Sequence, residues 1–297
     1  MRKTLALALI LLTVPSLVLG WGEKGHLMVN RLAIEAAASK LPEFMGAGRN
    51  QLIYNAYEPD RWREEANTAL ATAQAPDHFL DSEYWGDIST LPPDRYAFLD
   101  KVAAKKVQMI TIGYLPYAME ETYGRLRNAF RMWRNAKTPE DREAARVNAL
   151  VYGGILGHYV GDGSNPLHMS YHYNGWDTKN APNPNGYTTA AGLHGRFETA
   201  YVNRAISDAI VKPMVKAPER IPNLHAAVIA YLQQTFKDLE PLYAMEKTGE
   251  FNPDKTQAKG TQFIANHLAR AATMLSNLWY TAWLESAEPA RPPQRGQ

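Results

Sequence analysis

The sequence of 297 residues is long enough for one large domain or two small ones, and it contains no linker or repeat that would separate two. Its 32 basic and 30 acidic residues nearly balance, which excludes the binding of polyanions through the bulk field of the protein. The sequence has no cysteine, so disulfide bonds are excluded as a source of stability.

Residues 1–20 have the pattern of a secretory signal peptide. Arg2 and Lys3 precede an apolar stretch at 5–14, and small residues up to Gly20 suit a cleavage site. The apolar stretch is too short to be a permanent membrane anchor. We therefore expect cleavage after Gly20, a mature chain that begins at Trp21 with no net charge, and a secreted or periplasmic location.

The periodic segments that follow are helical. They lie at about 26–40, 60–71, 115–136, 139–162, 193–211, 222–245 and 260–285. Without a convincing set of alternating strands, the pattern predicts an all-α fold in one domain at 21–286. Residues 169–192 form a long loop, of a length that is typical of functional or disordered loops, and 287–297 are predicted to be a disordered tail.

The helix predicted at 139–162 carries the most informative residues. Thr138 and Pro139 are typical of a helix start, and Gly163 and Pro166 indicate its end. His158 and Asp162 are four residues apart, so they share a helix face. One stripe of helical spacing is predicted to face inward, and it contains Val147, Leu150, Val151, Gly154, Ile155, His158 and Asp162.

The inward stripe of this helix thus ends in an imidazole and a carboxylate, and the turn after it brings back His168. A buried charge needs a partner or a metal ion. Imidazole and carboxylate ligands without thiols suit zinc, and suit manganese, iron or nickel less well. The alternative is a capped helix end with an ordinary core histidine.

Further candidate ligands are spread along the chain. His194 and Glu198 form a second pair one helical turn apart, which could equally be an exposed surface pair. His78 follows a proline in a loop, and Asp60 begins a helix, where an N-cap is the competing role. His26 lies five residues after Trp21. Three histidines are interpreted as structural instead, namely His172, His225 and His267.

Taken together, these residues resemble the superfamily that joins zinc-dependent phospholipases C with single-strand nucleases of the S-one and P-one type. The pattern is a processed N-terminal Trp, an early His, an Asp, a His, then H-x3-D-x5-H and H-x3-[DE]. The corresponding residues here are Trp21, His26, Asp60, His78, His158, Asp162, His168, His194 and Glu198. The resemblance covers about residues 21–210 and implies an all-α domain of the phospholipase C and P-one nuclease type.

The resemblance also implies a site for three zinc ions. One ion would bind Asp60, His78, His158 and Asp162; a second would bind His168, His194 and Glu198 and leave positions open for water. A third would bind the α-amine and carbonyl of Trp21, together with His26 and the shared Asp162. This third site requires signal cleavage, because an acylated nitrogen is not a ligand. Three zinc ions against three carboxylates would give the site a local positive charge that attracts phosphate esters.

Clustered zinc ions suit phosphoester hydrolysis, since they activate a bound water and stabilise the leaving oxygen. We therefore expect a zinc-held hydroxide to attack phosphorus. Asp60 is a candidate to orient this water, and Arg63 to clamp the phosphate, although a surface ion pair is the alternative for Arg63.

The features divide between the two branches of the superfamily. Phe79 and Asp81 match nuclease positions that stack on and hydrogen-bond a base, and the Asp60-to-Arg63 spacing and the loop before His194 are also nuclease-like. Glu198 is similar to the phospholipase C branch. The interval from His78 to His158 is longer than in either branch, and the absence of cysteine departs from the disulfide-bonded nucleases.

These features favour a secreted zinc-dependent phosphodiesterase that cuts single-stranded nucleic acid to 5′-phosphate products. A phospholipase C acting on phospholipid head groups is the alternative, and a non-catalytic secreted zinc-binding protein is a third possibility. The aromatic side chains of the 169–192 loop could stack bases, insert at a lipid interface, or simply pack on one another. They are Tyr171, Tyr173, Trp176 and Tyr187. No protein partner is implied, and no stable membrane anchor is expected.

Overall fold

A computed structural model describes residues 21–64 and 68–289 of the chain. The predicted signal peptide and residues 290–297 of the predicted tail lie outside the described residues. Within those ranges the protein forms helices and no β-strand, which confirms the all-α class. None of the described helices has an apolar stretch long enough to cross a bilayer.

Five long helices dominate the described chain. They are α1 (Gly22–Ala37), α2 (Leu115–Asn135), α3 (Pro139–Asp162), α4 (Leu224–Lys237) and α5 (Ala258–Glu285). The shorter α-helices are Glu43–Ala47, Arg49–Tyr54, Glu58–Glu64, Thr68–Gln74, Ser82–Trp85, Arg95–Ala104, Met109–Ile112, Leu193–Gly195, Val202–Ala205, Asp208–Val211 and Leu239–Lys247. A π-helical turn spans Arg196–Tyr201, and 3-10 turns span Ala38–Lys40, Asn55–Tyr57, Ala75–His78, Ile88–Thr90, Pro166–Met169 and Lys212–Met214.

Helix α3 is the centre of the fold. It packs most extensively on α2 and also contacts α1, α5 and the helix Arg49–Tyr54. Glycines on its inner face allow this close approach. A Cβ atom at Gly157 would lie 1.7 Å from Asn30 Oδ1 in α1, and one at Gly154 would lie 2.8 Å from the carbonyl oxygen of Leu52. The side chain of Asn30 links the same elements, because its amide donates hydrogen bonds to the carbonyls of Leu52 and Gly154.

The stripe predicted for α3 is confirmed at five of its seven residues, which are Leu150, Gly154, Ile155, His158 and Asp162. His158 and Asp162 are fully buried, but Val147 is 44% exposed and Val151 is only half-buried. Small residues occupy the inward positions of the first turns instead, and Ala149 is fully buried.

Two helices predicted as continuous are interrupted. The segment 193–211 begins as one α-helical turn, passes through the π-helical turn and stops at Ile206, whose backbone is extended, before Asp208–Val211. The segment 222–245 is divided at Asp238 into α4 and Leu239–Lys247. The segment 60–71 falls in two helices on either side of residues 65–67, which are outside the described residues.

Candidate metal centre

The C-terminal turn of α3 supplies the first two site residues. His158 Nε2 lies 3.1 Å from Asp162 Oδ2, and both side chains are fully buried. Asn165 then shapes the chain reversal, because its side-chain oxygen accepts a hydrogen bond from the amide of Leu167. The 3-10 turn that follows carries His168 back towards Asp162, with His168 Nδ1 3.6 Å from Asp162 Oδ1.

Backbone carbonyls orient two of the imidazoles. His158 Nδ1 lies 2.9 Å from the carbonyl oxygen of Ala56, and His168 Nδ1 lies 2.6 Å from that of His78. A nitrogen so placed donates its hydrogen to the carbonyl, which leaves Nε2 of each ring unprotonated and free to bind a metal ion. Such an outer contact is the usual way in which proteins fix the tautomer of a ligating histidine.

One cluster of potential ligands consists of Asp60, His78 and His158. Their ligand atoms all lie within 4.8 Å of one another, and all three side chains are buried. His78 Nδ1 is 3.0 Å from His158 Nε2, 3.7 Å from Asp60 Oδ1 and 3.1 Å from Asp162 Oδ2. Two imidazole nitrogens and two carboxylates thus converge on one small volume, which is a suitable ligand set for zinc.

A second cluster consists of His168, His194 and Glu198, which also lie within 4.8 Å of one another. His194 Nε2 is 3.1 Å from His168 Nε2 and 2.6 Å from Glu198 Oε2. Glu198 lies in the π-helical turn, a local widening that occurs often at functional sites. Asn165 Nδ2 donates a hydrogen bond to Glu198 Oε2, so the residue that shapes the turn after α3 also holds this carboxylate.

The third cluster consists of His26, His158 and Asp162. The rings of His26 and His158 stack at 4.1 Å, and His26 Nε2 is 3.4 Å from Asp162 Oδ1. Trp21 is fully buried beside them, and its indole nitrogen donates to the carbonyl of Gly161 at 2.8 Å. The structure therefore brings together the eight side chains predicted as metal ligands and places the Trp21 indole beside them, while the role of all nine residues as ligands stays a prediction.

Unsatisfied polar atoms test whether these residues fit metal ions. Buried side-chain atoms without a hydrogen-bond partner are rare, and each one costs about 1–3 kcal/mol. Six of the predicted ligands carry seven such atoms: His26 Nδ1 and Nε2, Asp60 Oδ2, His78 Nε2, Asp162 Oδ1, His194 Nδ1 and Glu198 Oε1. Metal coordination would satisfy several of them at once, so the residues fit the predicted zinc ions.

The pKa shifts of two residues in the second cluster agree with this fit. Burial lowers the pKa of His194 well below its usual value, and the neighbouring His168 lowers it further. Burial raises the pKa of Glu198 well above its usual value, and Asp60 and Asp162 add to the shift. The pKa shifts favour an uncharged His194 imidazole, so the second cluster lacks positive charge. A bound cation would supply that charge.

A cavity of about 290 Å³ opens beside the clusters. It is lined by Arg63, His78, Phe79, Asp81, Thr111, Leu167, His168, Tyr173 and His194. All three residues that were predicted to contact substrate therefore face one cavity together with metal-ligand candidates. Arg63 Nη1 is 3.4 Å from Asp60 Oδ1, and burial together with Glu83 raises the pKa of Asp81 to about 8.

Sequence reasoning missed several residues around the cavity. Asn165 lies next to Pro166 in the sequence, but nothing in the sequence indicated its contact with Glu198. Thr111 belongs to the long interval between His78 and His158, which no motif covers. Glu83 accepts hydrogen bonds from the side chain of Ser170 and the amide of Tyr171, and its spacing from His78 gave no hint of this role.

The aromatic loop at 169–192 packs largely on itself. Trp176 stacks on His172 with ring centroids 3.8 Å apart and also contacts Tyr187 at 4.9 Å. Tyr173 differs from these residues, because it is 43% exposed and lines the cavity next to His194. Of the aromatic side chains in this loop, Tyr173 is therefore the one placed to contact a substrate.

No protein-family model matches the chain, and no curated protein matches it. Among solved structures, the chain is similar to one described as "Alpha Toxin from Clostridium Absonum", with 15% sequence identity and a TM-score of 0.45. The match covers 92% of this chain and 65% of the toxin chain, so this chain spans less than two thirds of the toxin. The function proposed below therefore rests on the residues of the site.

Proposed function

We propose that the protein is a zinc-dependent phosphodiesterase that hydrolyses single-stranded nucleic acid and releases 5′-phosphate products. One observation carries the proposal: two of the three buried clusters of potential ligands contribute histidines to the wall of a cavity that also presents Arg63, Phe79 and Asp81. When bound, zinc supplies Lewis-acid activation of water and stabilises the charge that develops on phosphate and leaving group.

Three residues that line the cavity would bind the substrate. The Arg63 guanidinium faces the cavity and would bind two phosphate oxygens, and its contact with Asp60 holds it in place. Phe79 offers an apolar ring on which a base would stack. Asp81, whose raised pKa favours the protonated form, would donate a hydrogen bond to an acceptor atom on the base edge.

The direct test is turnover of defined substrates by zinc-loaded protein. We expect single-stranded DNA and RNA to yield nucleotides with 5′-phosphates, which chromatography against 5′- and 3′-phosphate standards identifies. Double-stranded DNA of the same sequence is the matched control and should be cut more slowly. Release of 3′-phosphates, or intact nucleic acid at full zinc loading, would contradict the proposal.

Phospholipase C activity is the second candidate, and Glu198 favours it. A glutamate at this position resembles the phospholipase C branch, and here it is buried within the second cluster. Phosphatidylcholine vesicles assayed in parallel separate the two candidates. Rapid release of diacylglycerol with intact nucleic acid would establish the phospholipase, whereas no turnover of any phosphate ester would favour a non-catalytic zinc-binding protein.

A further inference from the structure

A basic and aliphatic segment contributes one residue to the lining of the cavity. Residues 101–113, here called the rim segment, run from the last turns of the helix Arg95–Ala104 through Met109–Ile112. They contain three lysines and no acidic residue, in a chain whose overall charge is nearly balanced. Thr111 lines the cavity, so the segment lies directly beside the candidate metal centre.

Contacts at both ends hold the rim segment in place. At its C-terminal end, the amide of Asp81 donates to the carbonyl of Ile112 at 2.8 Å. Gly113 has a φ of +83°, and a Cβ atom there would lie 2.1 Å from the carbonyl oxygen of Phe79. At the other end, Lys105 Nζ donates to the carbonyl of Trp85 and lies 5.3 Å from the centre of its indole ring.

Between these contacts the rim segment exposes apolar side chains to solvent. Met109 is 42% exposed and Ile110 is 49% exposed. Among the exposed large hydrophobic residues of the described chain, only these two are neighbours in sequence. Lys101 and Lys106 precede them in sequence and are exposed, and no ion pair is found for either lysine among the described residues.

We propose that the rim segment docks the protein on an anionic lipid surface. Met109 and Ile110 would enter the boundary between head groups and acyl chains, while Lys101 and Lys106 would pair with anionic head groups. Aliphatic side chains next to lysines are typical of interfacial binding, and each lysine adds attraction to an anionic leaflet. Docking through this segment would bring the cavity mouth to the membrane surface.

The composition of the rim segment favours lipid over nucleic acid as the partner. Proteins that bind single strands combine basic residues with aromatic rings, on which the bases stack. The exposed apolar groups of the rim segment are aliphatic, and aliphatic chains gain more from entering a bilayer than from contacting a base. Surface binding of this kind goes beyond the proposed reaction, because it does not depend on which ester is hydrolysed.

Vesicle cosedimentation tests the proposal. Zinc-loaded protein is mixed with sucrose-filled vesicles of phosphatidylcholine alone or of phosphatidylcholine with phosphatidylglycerol. We expect binding to the anionic vesicles, weakening as salt is raised. Lys101→Gln with Lys106→Gln should weaken it at least tenfold, because each lysine contributes about fivefold. Met109→Ser with Ile110→Ser should weaken it by about tenfold as well.

Matched variants elsewhere on the surface serve as controls. Met132→Ser with Val147→Ser removes exposed apolar groups from α2 and α3, away from the cavity, and Lys137→Gln with Lys255→Gln removes exposed lysines. Both controls should bind vesicles like the unaltered protein. Hydrolysis of a small soluble phosphodiester should be unchanged in all four variants, so loss of docking is distinguishable from loss of the metal centre.

Three outcomes would overturn the proposal. The first is no binding to anionic vesicles by a protein that is catalytically active. The second is an equal effect of the rim variants and their controls. The third is a loss of affinity for single-stranded DNA in the rim variants without any vesicle binding, which would assign the rim segment to nucleic acid instead.

Discussion

Arg63 lines the cavity and also contacts a candidate metal ligand, Asp60. Its guanidinium lies 3.4 Å from Asp60 Oδ1, and its side chain is 18% exposed. We expect Arg63→Lys to lower kcat/KM for a soluble phosphodiester by roughly 10- to 100-fold, because lysine keeps the charge but loses the two parallel hydrogen bonds to phosphate. Steady-state kinetics with both zinc-loaded proteins measures the effect.

Arg61→Lys is the matched control for this substitution. Arg61 lies two residues away and does not line the cavity. Its guanidinium donates a hydrogen bond to Glu58 and lies over the ring of Tyr54. The control should change kcat/KM less than twofold. Equal losses in the two variants would show that Arg63 acts through the local fold and not through phosphate.

Trp21 gives a second prediction at the scale of single residues. Its indole is anchored by Gly161 and Ser164, next to His26 in the third cluster. In a chain that begins at Trp21 the free α-amine is available as a ligand, whereas two extra residues before Trp21 convert this amine into an amide. We expect the extended protein to bind about one zinc ion fewer, as measured by elemental analysis after gel filtration.

A matched extension at the other end of the chain controls for the added residues. Two residues appended after Gln297 should leave the zinc content unchanged. An unchanged zinc content in the protein with the N-terminal extension would refute the role of the Trp21 amine, while leaving the other two clusters untouched.

The candidate ligands differ in how far the sequence alone can predict them. His158 and Asp162 share a helix face at a spacing of four, and the turn signals after them point to His168. Asp60 and His194 come from distant parts of the chain, so only their order within the family resemblance connects them. The contact of Asn165 with Glu198 depends on the tertiary packing, and no local pattern encodes it.

At the scale of elements, the approach of α3 to α1 depends on Gly157. A Cβ atom there would lie 1.7 Å from Asn30 Oδ1, which is too close to be accommodated without moving Asn30 or separating the helices. We expect Gly157→Ala to lower the free energy of unfolding by about 1–3 kcal/mol, the usual cost of overpacking. Urea denaturation followed by circular dichroism measures this change.

Gly124→Ala in α2 is the control for Gly157→Ala. A Cβ atom at Gly124 meets no atom within 4 Å, so only helix propensity changes there. Alanine should therefore stabilise the protein by roughly 0.5–1 kcal/mol. The hypothesis of a close contact would fail if both substitutions stabilised the protein.

The sequence predicts a helix well where the helix is long and capping residues mark its ends. Both bounds of α3 follow from the sequence, and Thr138 caps it by accepting a hydrogen bond from the amide of Asp141. The break at Ile206 and the π-helical turn have no Gly or Pro to indicate them, so 193–211 was wrongly predicted as continuous. Helices as short as Ser82–Trp85 and Met109–Ile112 have too few turns to show a period.

At the scale of the whole molecule, the metal centre would stabilise this cysteine-free chain in the way that disulfides stabilise many other proteins. The ligand candidates come from α1, Glu58–Glu64, Ala75–His78, α3 and three later segments, so bound metal would link elements that are far apart in sequence. Binding of metal to the folded state alone adds directly to stability. Without it, the buried unpaired atoms of the three clusters reduce that stability.

Removal of metal should therefore destabilise the entire protein. We expect a chelator to lower Tm by roughly 10 °C, because a site occupied at about 1,000 times its Kd contributes ~4 kcal/mol and each kcal/mol shifts Tm of a protein of this size by about 2–4 °C. Calorimetry before and after dialysis measures the shift, and added zinc should restore Tm while magnesium should not, because the histidine-rich clusters favour zinc. An unchanged Tm after complete removal of zinc would mean that the polar atoms of the clusters need no metal ion. The proposed zinc-dependent function would then be contradicted.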